Sequence, residues 1–582
     1  MFKAIIYLVA LSFIFMAQLF SQSSMEELKQ DYHKEIEKLM RKKNIPGASV
    51  VLIENDSIIW EAYFGYADKD ETVKVDSNTL FKTGSVTKLF TGTAVMQLKQ
   101  KGLIDLDAPV NEYLPSFHLL PRFDKGNPIT PRLLLTHQAG LPSDIMKGFV
   151  SDSVEPYTAQ LNYLNEEYAA YPAGYIRAYS NPGFTLLGIM VAEVVQKPYT
   201  SYVEDEIFAP LDMRKTTFLE PYTSHPSLSA DFTRKGDFIK DSYLRDVPAG
   251  GILSTAKDLS KFLSIWMDDE DEKVLQPDVR NEMLNIQTAT PLDFNNPFAL
   301  AWMADLDTKA GNIFLHGGAT FYHRAMVAFA PETDMGIVIL TNAAGGKSIC
   351  KLYDDILEDA AALKGFVPND NSGDDNVHPS KKVKIPAENL RHFTGTYALP
   401  IEAYEVSLNK NNLELTIQDT RVKLIPVADS MFIPKVLLLG PLGIKIKQVR
   451  FYFDEVAGEH LLIQEEVETG AKEILGQRIK LPEIPQAWEN RYGKYEIINA
   501  DSADYPMFEN FELREQEGKM EFVFTINFDN NPTFKPALIP VNDTLAYISG
   551  LGRQGGQAVR VIQTENGEEI LYYSGYKLKK EE

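Results

Sequence analysis

Apolar residues recur at helical spacing near the start of the chain and at strand spacing soon after. Between Met25 and Lys43, apolar side chains three or four residues apart predict an amphipathic helix. Residues 47–65 then predict two strands, Ala48–Glu54 and Ile58–Tyr63, joined by a turn at Asn55, Asp56 and Ser57. A long helical and loop-rich region follows.

Strand patterns return at Ile313–Leu315, Ala325–Phe329 and Gly336–Thr341. Helical periodicity then covers Ser348–Leu363. Because strands and a helix stand at both ends of a helical insertion, the pattern predicts an α+β fold. We expect an antiparallel sheet flanked by helices, together with an all-α subdomain.

Beyond this first domain the pattern becomes strand after strand. Residues 367–385 are polar, acidic and rich in turn formers, which predicts a linker. An internal repeat of roughly a hundred residues follows, in which Phe393–Tyr397 matches Tyr492–Tyr495 and Leu424–Val427 matches Leu538–Val541. The repeat predicts two β-rich, barrel-like modules, residues 386–482 and 483–582, which resemble lipocalin-like barrels.

The first residues have the layout of a secretory signal peptide. Lys3 supplies a positive charge, residues 4–20 are almost entirely apolar, and residues 21–24 are small and polar. We therefore expect residues 1–23 to be removed on export to the periplasm or the extracellular space. No stable membrane span is expected in the mature protein, and residues 24–366 are expected to form the first folded domain.

Composition excludes some partners. The 582 residues include 58 basic and 81 acidic side chains, and a net charge of −23 would repel the phosphates of nucleic acid. The lone Cys350 cannot form an internal disulfide. Because no metal-binding pattern of histidines and cysteines occurs, neither a metal nor another cofactor is expected.

The segment Ser85-Val86-Thr87-Lys88 carries the main candidate chemistry. A serine hydroxyl needs a neighbouring base to become a nucleophile. On a helix Lys88 would share a face with Ser85, and apolar neighbours would favour its uncharged form. The tetrapeptide is weak evidence alone, because Ser-x-x-Lys also begins at four other serines: Ser254, Ser348, Ser407 and Ser574.

The order of the motifs is more specific than any one of them. Tyr179-Ser180-Asn181 follows the Ser85 segment, and His316-Gly317-Gly318 follows later, at the end of a predicted strand. This order resembles the serine β-lactamase and penicillin-binding-protein superfamily, in the branch near class C β-lactamases, DD-peptidases and esterases. The resemblance covers about residues 25–365 and implies the same architecture as the hydrophobic pattern.

The resemblance implies roles for individual residues. Ser85 would be the nucleophile and Lys88 would share or accept its proton. Tyr179, with a pKa depressed by nearby cations, would act as base and then as acid to the leaving group. Asn181 would bind Lys88 and an oxygen of the substrate.

Three further residues, and the backbone of Ser85, would bind substrate or stabilise charge. His316 stands where many relatives have a lysine, so we expect a weaker and pH-dependent cation there. Gly318 would let the substrate lie close to the strand edge. The backbone N–H groups of Ser85 and Ala319 would form the oxyanion hole.

These features predict an exported serine hydrolase that forms an acyl-Ser85 intermediate. Its substrate would be a small molecule or peptide, namely an ester or a peptide with a D-residue. A β-lactamase or DD-carboxypeptidase is the alternative enzyme, and a non-catalytic ligand-binding or sensor protein is the alternative of another class. The sequence leaves the oligomeric state open. It also predicts that the β modules are separable, so that a chain ending near Gly365 folds and acylates.

Overall fold

The computed structural model describes residues 25–582 apart from several short gaps, at 124–125, 153–154, 219–224, 240–242, 269, 289, 295–296, 369–378, 380, 440–441, 468, 502–503, 528–530 and 565. The predicted signal peptide lies outside the described residues, as does the middle of the predicted linker. None of the described helices combines the length and the apolar character needed to cross a membrane.

The first domain is built on a six-stranded antiparallel sheet. Its strands in chain order are β1 (Gly47–Glu54), β2 (Ser57–Gly65), β3 (Met303–Thr308), β4 (Gly311–Ala319), β5 (Arg324–Ala330) and β6 (Met335–Thr341). They lie side by side in the order β3-β4-β5-β6-β1-β2. The five predicted strands are confirmed. The sequence missed β3, an edge strand in which only Ala304 is buried, so that it lacks a clear apolar pattern.

Helices cover both faces of this sheet. The principal helices of the first domain are α1 (25–43), α2 (Thr87–Gln100), α3 (Asn181–Val195), α4 (Ala256–Ser264) and α5 (Leu352–Leu363). Val50 and Leu52 pack in one core with α1 and α5, while Val51 and Ile53 pack in another with α2, α3 and α4. The alternation follows from the two-residue period of a strand. The α+β fold with a helical subdomain is therefore confirmed.

Shorter helices complete the first domain and introduce the modules: Pro131–Leu135, Gln160–Leu164, Tyr199–Val203, Val247–Gly250, Pro277–Leu284, Lys347–Cys350, Ala387–Leu390 and Gln486–Glu489. The helix predicted at 348–363 is thus two consecutive helices rather than one.

The first β module is a closed barrel. Its strands are β7 (Gly395–Leu399), β8 (Glu402–Asn409), β9 (Asn412–Ile417), β10 (Thr420–Pro426), β11 (Met431–Leu439), β12 (Leu442–Lys445), β13 (Val449–Val456), β14 (Glu459–Glu466) and β15 (Lys472–Arg478). They are ordered β10-β9-β8-β7-β15-β14-β13-β11-β12, and an additional β10–β11 pairing closes the ring.

The second β module is an open half-barrel. Its strands are β16 (Gly493–Ile497), β17 (Phe508–Gln516), β18 (Lys519–Ile526), β19 (Thr533–Phe534), β20 (Leu538–Asn542), β21 (Leu545–Ile548), β22 (Ala558–Gln563), β23 (Glu569–Tyr573) and β24 (Tyr576–Lys580). Their order is β19-β18-β17-β16-β24-β23-β22-β21-β20. Two barrel-like β modules, as predicted, follow the first domain.

The repeat is visible in matching local structure. The first strand of each module begins with a glycine, Gly395 (φ +140°) and Gly493 (φ +147°). The tyrosine two positions later donates its hydroxyl to the carbonyl four residues before it, from Tyr397 in the first module and from Tyr495 in the second. The sequence match therefore reflects one shared way of beginning the module.

Both β modules pack on the first domain. Met146 and Val150 are buried in the apolar core of the second module. Leu461 and Ile463 of the first module pack in a cluster with Tyr171. The modules therefore share buried apolar contacts with the first domain. Their separability, expected from the sequence, stays a prediction. The exact domain boundaries remain predictions.

Candidate active site

Ser85 lies where a short strand turns into α2. The strand Phe81–Lys82 leads into a 3-10 turn, Gly84–Val86, that continues directly as α2. Gly84 has a φ of +53°, and a Cβ there would lie 2.8 Å from the backbone of Ala319. A side chain would be both strained and crowded at this position. Glycine thus lets the turn that carries Ser85 lie against the end of β4.

Lys88 is buried one helical turn beyond Ser85. Its Nζ donates to Ser85 Oγ at 3.2 Å, to Asn181 Oδ1 at 2.8 Å and to the Ala249 carbonyl at 2.8 Å. Burial, together with the positive charge of Arg553, lowers the pKa of Lys88 to about 7. Uncharged and charged amine therefore coexist near neutral pH.

The partners of Lys88 determine where the lone pair of its neutral amine points. A neutral amine has two N–H donors and one lone pair. The Ala249 carbonyl only accepts, and Asn181 Oδ1 is held as an acceptor because Nδ2 of the same amide donates to Asp144. Since both N–H groups are used, the lone pair faces Ser85 Oγ. A base for the serine proton needs this geometry.

Tyr179 packs over the same lysine. Its phenol is hydrogen-bonded to Ser85, and Lys88 Nζ lies 4.9 Å from the ring centroid. The ring also stacks on His137 at a centroid separation of 4.1 Å. Burial raises the pKa of Tyr179 to about 12, although Ser85 and Arg553 oppose the rise. The depressed pKa expected from the sequence is therefore wrong, because desolvation outweighs the nearby cations.

Asn181 links the lysine to a buried carboxylate. It begins α3, after Ser180, whose hydroxyl caps the helix by accepting from the Gly183 N–H. Its Nδ2 donates to Asp144 Oδ1 at 2.6 Å. The Asp144 side chain is only 1% exposed, so this bond holds the Asn181 amide in a single orientation. Asp144 was not identified from the sequence.

His316 lies on β4 and is neutral at physiological pH. Its Nδ1 is 2.9 Å from the Gly317 carbonyl, which can only accept, so we assign the proton to Nδ1. Burial lowers the pKa of His316 to about 4, with a further contribution from Lys88. Its buried Nε2 has no hydrogen-bond partner among the described residues. The predicted cation is therefore corrected to an uncharged acceptor.

Gly318 and Ala319 close the site at the end of β4. A Cβ on Gly318 would lie 1.9 Å from the Thr83 carbonyl oxygen. Glycine is thus needed here to let the strand approach the Ser85 turn, a contact within the protein that the sequence did not predict. Ala319 is exposed and lies against Gly84. The oxyanion role of the Ser85 and Ala319 N–H groups stays a prediction.

Two other histidines near the site hold backbone in place. His137 Nδ1 accepts from the Ser180 N–H at 3.1 Å, which fixes the segment that carries Tyr179. His323 Nδ1 accepts from the Lys82 N–H at 3.0 Å, and its Nε2 lies 3.0 Å from Asp231. Although burial alone would raise the pKa of Asp231, Lys82 and His323 hold it at about 2. Both histidines therefore support the site from outside it.

A glycine-rich loop of the second β module forms part of the cleft. Tyr171 donates its hydroxyl to the carbonyls of Gly550 and Gly552, each at 3.1 Å. A Cβ on Gly555 would lie 2.2 Å from that hydroxyl, and one on Gly556 would lie 2.3 Å from the Ala170 carbonyl. The loop has no room for side chains on these glycines because it lies directly on the first domain.

Arg553 extends from this loop to the site. Its Nη2 and Nε donate to Asp144 Oδ2 at 2.9 and 3.3 Å. Its Cζ lies 5.3 Å from the ring centroid of Tyr179. Sequence analysis missed this residue, and the cluster of glycines between Gly550 and Gly556 was the one signal of a close backbone approach.

Known proteins resemble this chain over its first domain. Residues 33–361 match the family model described as Beta-lactamase. Protein flp of Staphylococcus aureus (strain MW2) is 28% identical over 319 residues, which cover 53% of this chain and 61% of that protein. The chain therefore spans about three fifths of the length of this curated relative.

Solved structures share the fold over a longer stretch. The crystal structure of SurE superposes with a TM-score of 0.57 at 20% identity, covering 78% of this chain and 100% of SurE. The octameric penicillin-binding protein homologue from Pyrococcus abyssi has a TM-score of 0.53 at 20% identity, covering 74% of this chain and 97% of its own. The family match covers more than half of the sequence, and the protein therefore belongs to the β-lactamase family.

Proposed function

We propose that the protein is an exported serine hydrolase that forms an acyl-Ser85 intermediate on an ester or on a peptide with a D-residue. The observation that carries the proposal is the hydrogen bonding of Lys88. Its two obligate acceptors direct the lone pair of the neutral amine at Ser85 Oγ. With a pKa of about 7, that amine is partly unprotonated at neutral pH.

The pKa values assign the proton transfers. Lys88 takes the hydroxyl proton as Ser85 Oγ forms a bond to the substrate carbonyl carbon. Tyr179, a protonated phenol at neutral pH, gives its proton to the leaving oxygen or nitrogen as that bond breaks. Transfer of the Lys88 proton to the phenolate restores both groups. Water then attacks the acyl carbon and gives one proton back to Ser85, which releases the acid.

Charge on the carbonyl oxygen has to be stabilised during both steps. The proposed donors are the backbone N–H groups of Ser85 and Ala319. Their proximity is supported by the close approach of Gly84, the neighbour of Ser85, to the Ala319 backbone, since a Cβ on Gly84 would lie 2.8 Å from the Ala319 nitrogen. Asn181 and the uncharged His316 would orient the rest of the substrate.

Intact-mass spectrometry after exposure to a fluorophosphonate and to aryl esters tests the proposal. We expect one adduct, on Ser85, and its absence in Ser85→Ala. Ser407→Ala is a matched control, because Ser407 begins another Ser-x-x-Lys segment but lies exposed on the first β module. Unchanged hydrolysis by Ser85→Ala would eliminate the mechanism. Absence of both adduct and hydrolysis in the wild-type protein would leave the binding or sensor alternative. N-terminal sequencing of the mature protein tests export.

A further inference from the structure

Arg553 is held at the cleft by one edge of its guanidinium group. Asp144 binds Nη2 and Nε, and Gln554 Nε2 also donates to the same carboxylate oxygen, at 3.0 Å. Within the described residues Arg553 Nη1 donates no hydrogen bond. The side chain is 52% exposed. The Nη1 side of this planar donor group is thus exposed and able to donate to a ligand.

The loop that carries Arg553 is itself fixed. The Gln554 N–H donates to Ser143 Oγ at 2.9 Å, and Gln557 Nε2 donates to the Asp144 carbonyl at 3.2 Å. The neighbouring glycine carbonyls accept from Tyr171. Because backbone and side chain are both anchored to the first domain, the position of the guanidinium group is preorganised rather than left to a flexible arginine.

The position of Arg553 relative to Tyr179 indicates which part of a substrate it would meet. Under the proposed function, Tyr179 protonates the leaving atom. The guanidinium carbon lies 5.3 Å from the Tyr179 ring centroid. An anionic group a few bonds beyond the leaving atom would therefore lie near Arg553. His316 cannot bind such a group by charge, since its pKa of about 4 leaves it neutral at neutral pH.

We propose that Arg553, supplied by the second β module, binds a carboxylate on the leaving group of the substrate and makes the enzyme selective for such substrates. The inference rests on the proposed function and narrows it. It favours a D-peptide with a free C-terminal carboxylate over an uncharged ester. The second β module is then part of the specificity site, and its docking on the first domain is required for selectivity.

Two pairs of substrates isolate the effect of the carboxylate on kcat/KM. N-acetyl-D-alanyl-D-alanine and its C-terminal amide share one scissile bond, as do 3-acetoxybenzoate and 3-acetoxybenzamide. We expect wild-type kcat/KM to favour the acid in each pair that is turned over. Arg553→Gln should lower kcat/KM for the acid about 10- to 100-fold, mainly through KM, the range typical of hydrogen bonds to a charged group. Both members of a pair are compared at about pH 9, where Lys88 is unprotonated with or without Arg553. A loss shared by the amide then reports on the site as a whole, and the additional loss in the acid reports on carboxylate binding.

Controls separate loss of binding from loss of folding. Arg553→Lys keeps the charge but not the planar fork, so it should retain part of the preference. Lys494→Gln removes the same charge from an exposed position of the same module and should leave the preference intact. Thermal unfolding of each variant checks that the module stays docked. An unchanged acid preference in a folded Arg553→Gln protein would overturn the inference.

A binding measurement keeps this test independent of turnover. Calorimetry with the Ser85→Ala protein compares N-acetyl-D-alanine with its amide. Tighter binding of the acid, lost in the Ser85→Ala/Arg553→Gln double variant, supports the carboxylate site even where no ester is hydrolysed. Equal binding of acid and amide overturns it, while acylation of Ser85 by aryl esters would still uphold the proposed function. The two hypotheses can therefore fail separately.

Discussion

The paired charges of Arg553 and Asp144 should move the pH profile of the activity in opposite directions when each is removed. Arg553 lowers the pKa of Lys88, whereas Asp144 raises it. With Lys88 as the base, kcat/KM for an uncharged ester should rise with pH through the Lys88 pKa of about 7. Arg553→Gln removes the opposing cation, so the rise should shift to higher pH. Asp144→Asn removes the anion, so the rise should shift to lower pH.

The size of the expected shift in the pH midpoint follows from the separation of Lys88 and Arg553. Lys88 Nζ and Arg553 Cζ lie 4.9 and 5.3 Å from one ring centroid, so the two charges are within about 10 Å of each other. Coulomb's law at an effective dielectric constant of about 20 gives roughly 1.7 kcal/mol at that distance, or about one pH unit. Because half of the Arg553 side chain is exposed, solvent screening reduces the expected shift to about half a unit to one unit.

The assay is the pH dependence of kcat/KM for 3-acetoxybenzamide between about pH 5 and 9, at constant ionic strength. An uncharged substrate removes any effect of carboxylate binding. Lys494→Gln is the control for a change of net charge. Shifts of both variants in the same direction, or a midpoint that does not move in either, would refute the electrostatic reasoning. Either result would also show that the rise of kcat/KM with pH does not follow the deprotonation of Lys88.

Three further perturbations separate the remaining roles. His316→Asn should leave the rise near pH 7 in place, because His316 is already neutral there; loss of that rise would show that the histidine is its source. Gly318→Ala should cost about 1–3 kcal/mol of unfolding free energy and most of the activity, since its Cβ would lie 1.9 Å from the Thr83 oxygen. In Gly317→Ala the atom nearest to the new Cβ would belong to Met326, at 3.6 Å. This variant should therefore change the unfolding free energy and the rate little. A chain ending at Gly365 should acylate far more slowly than the full chain in stopped-flow assays, and equal rates would show that the modules are dispensable.

The sequence predicted the parts of the site that depend on local order. Ser85 and Lys88 are one helical turn apart, so their proximity follows from helix geometry alone. Tyr179 and Asn181 flank the start of α3, and a family resemblance was enough to bring them to the same lysine. The strands of the central sheet were found from their apolar runs and the turn residues between them, except for the exposed edge strand Met303–Thr308.

Properties that depend on the whole environment could not be read from the sequence. Burial raises the pKa of Tyr179, whereas the Ser85 hydrogen bond and the Arg553 charge lower it, and only the structure shows that burial prevails. The neutral form of His316 has the same cause. Asp144 and Arg553 are more than four hundred residues apart, and nothing local to either indicates that they meet. Such long-range pairs are a consequence of tertiary packing.

The electrostatics of the cleft suggest why a β module belongs to this active site. The first domain buries Asp144 beside Asn181, and an unpaired buried carboxylate would be costly. Arg553 and Gln554 of the second module supply three of the four hydrogen bonds to its side chain. The same carboxylate orients the Asn181 amide, which in turn directs the lone pair of Lys88 at Ser85 Oγ. Docking of the module therefore stabilises the arrangement that activates Ser85 in the proposed mechanism, and it places a cation near Tyr179, the proposed proton donor.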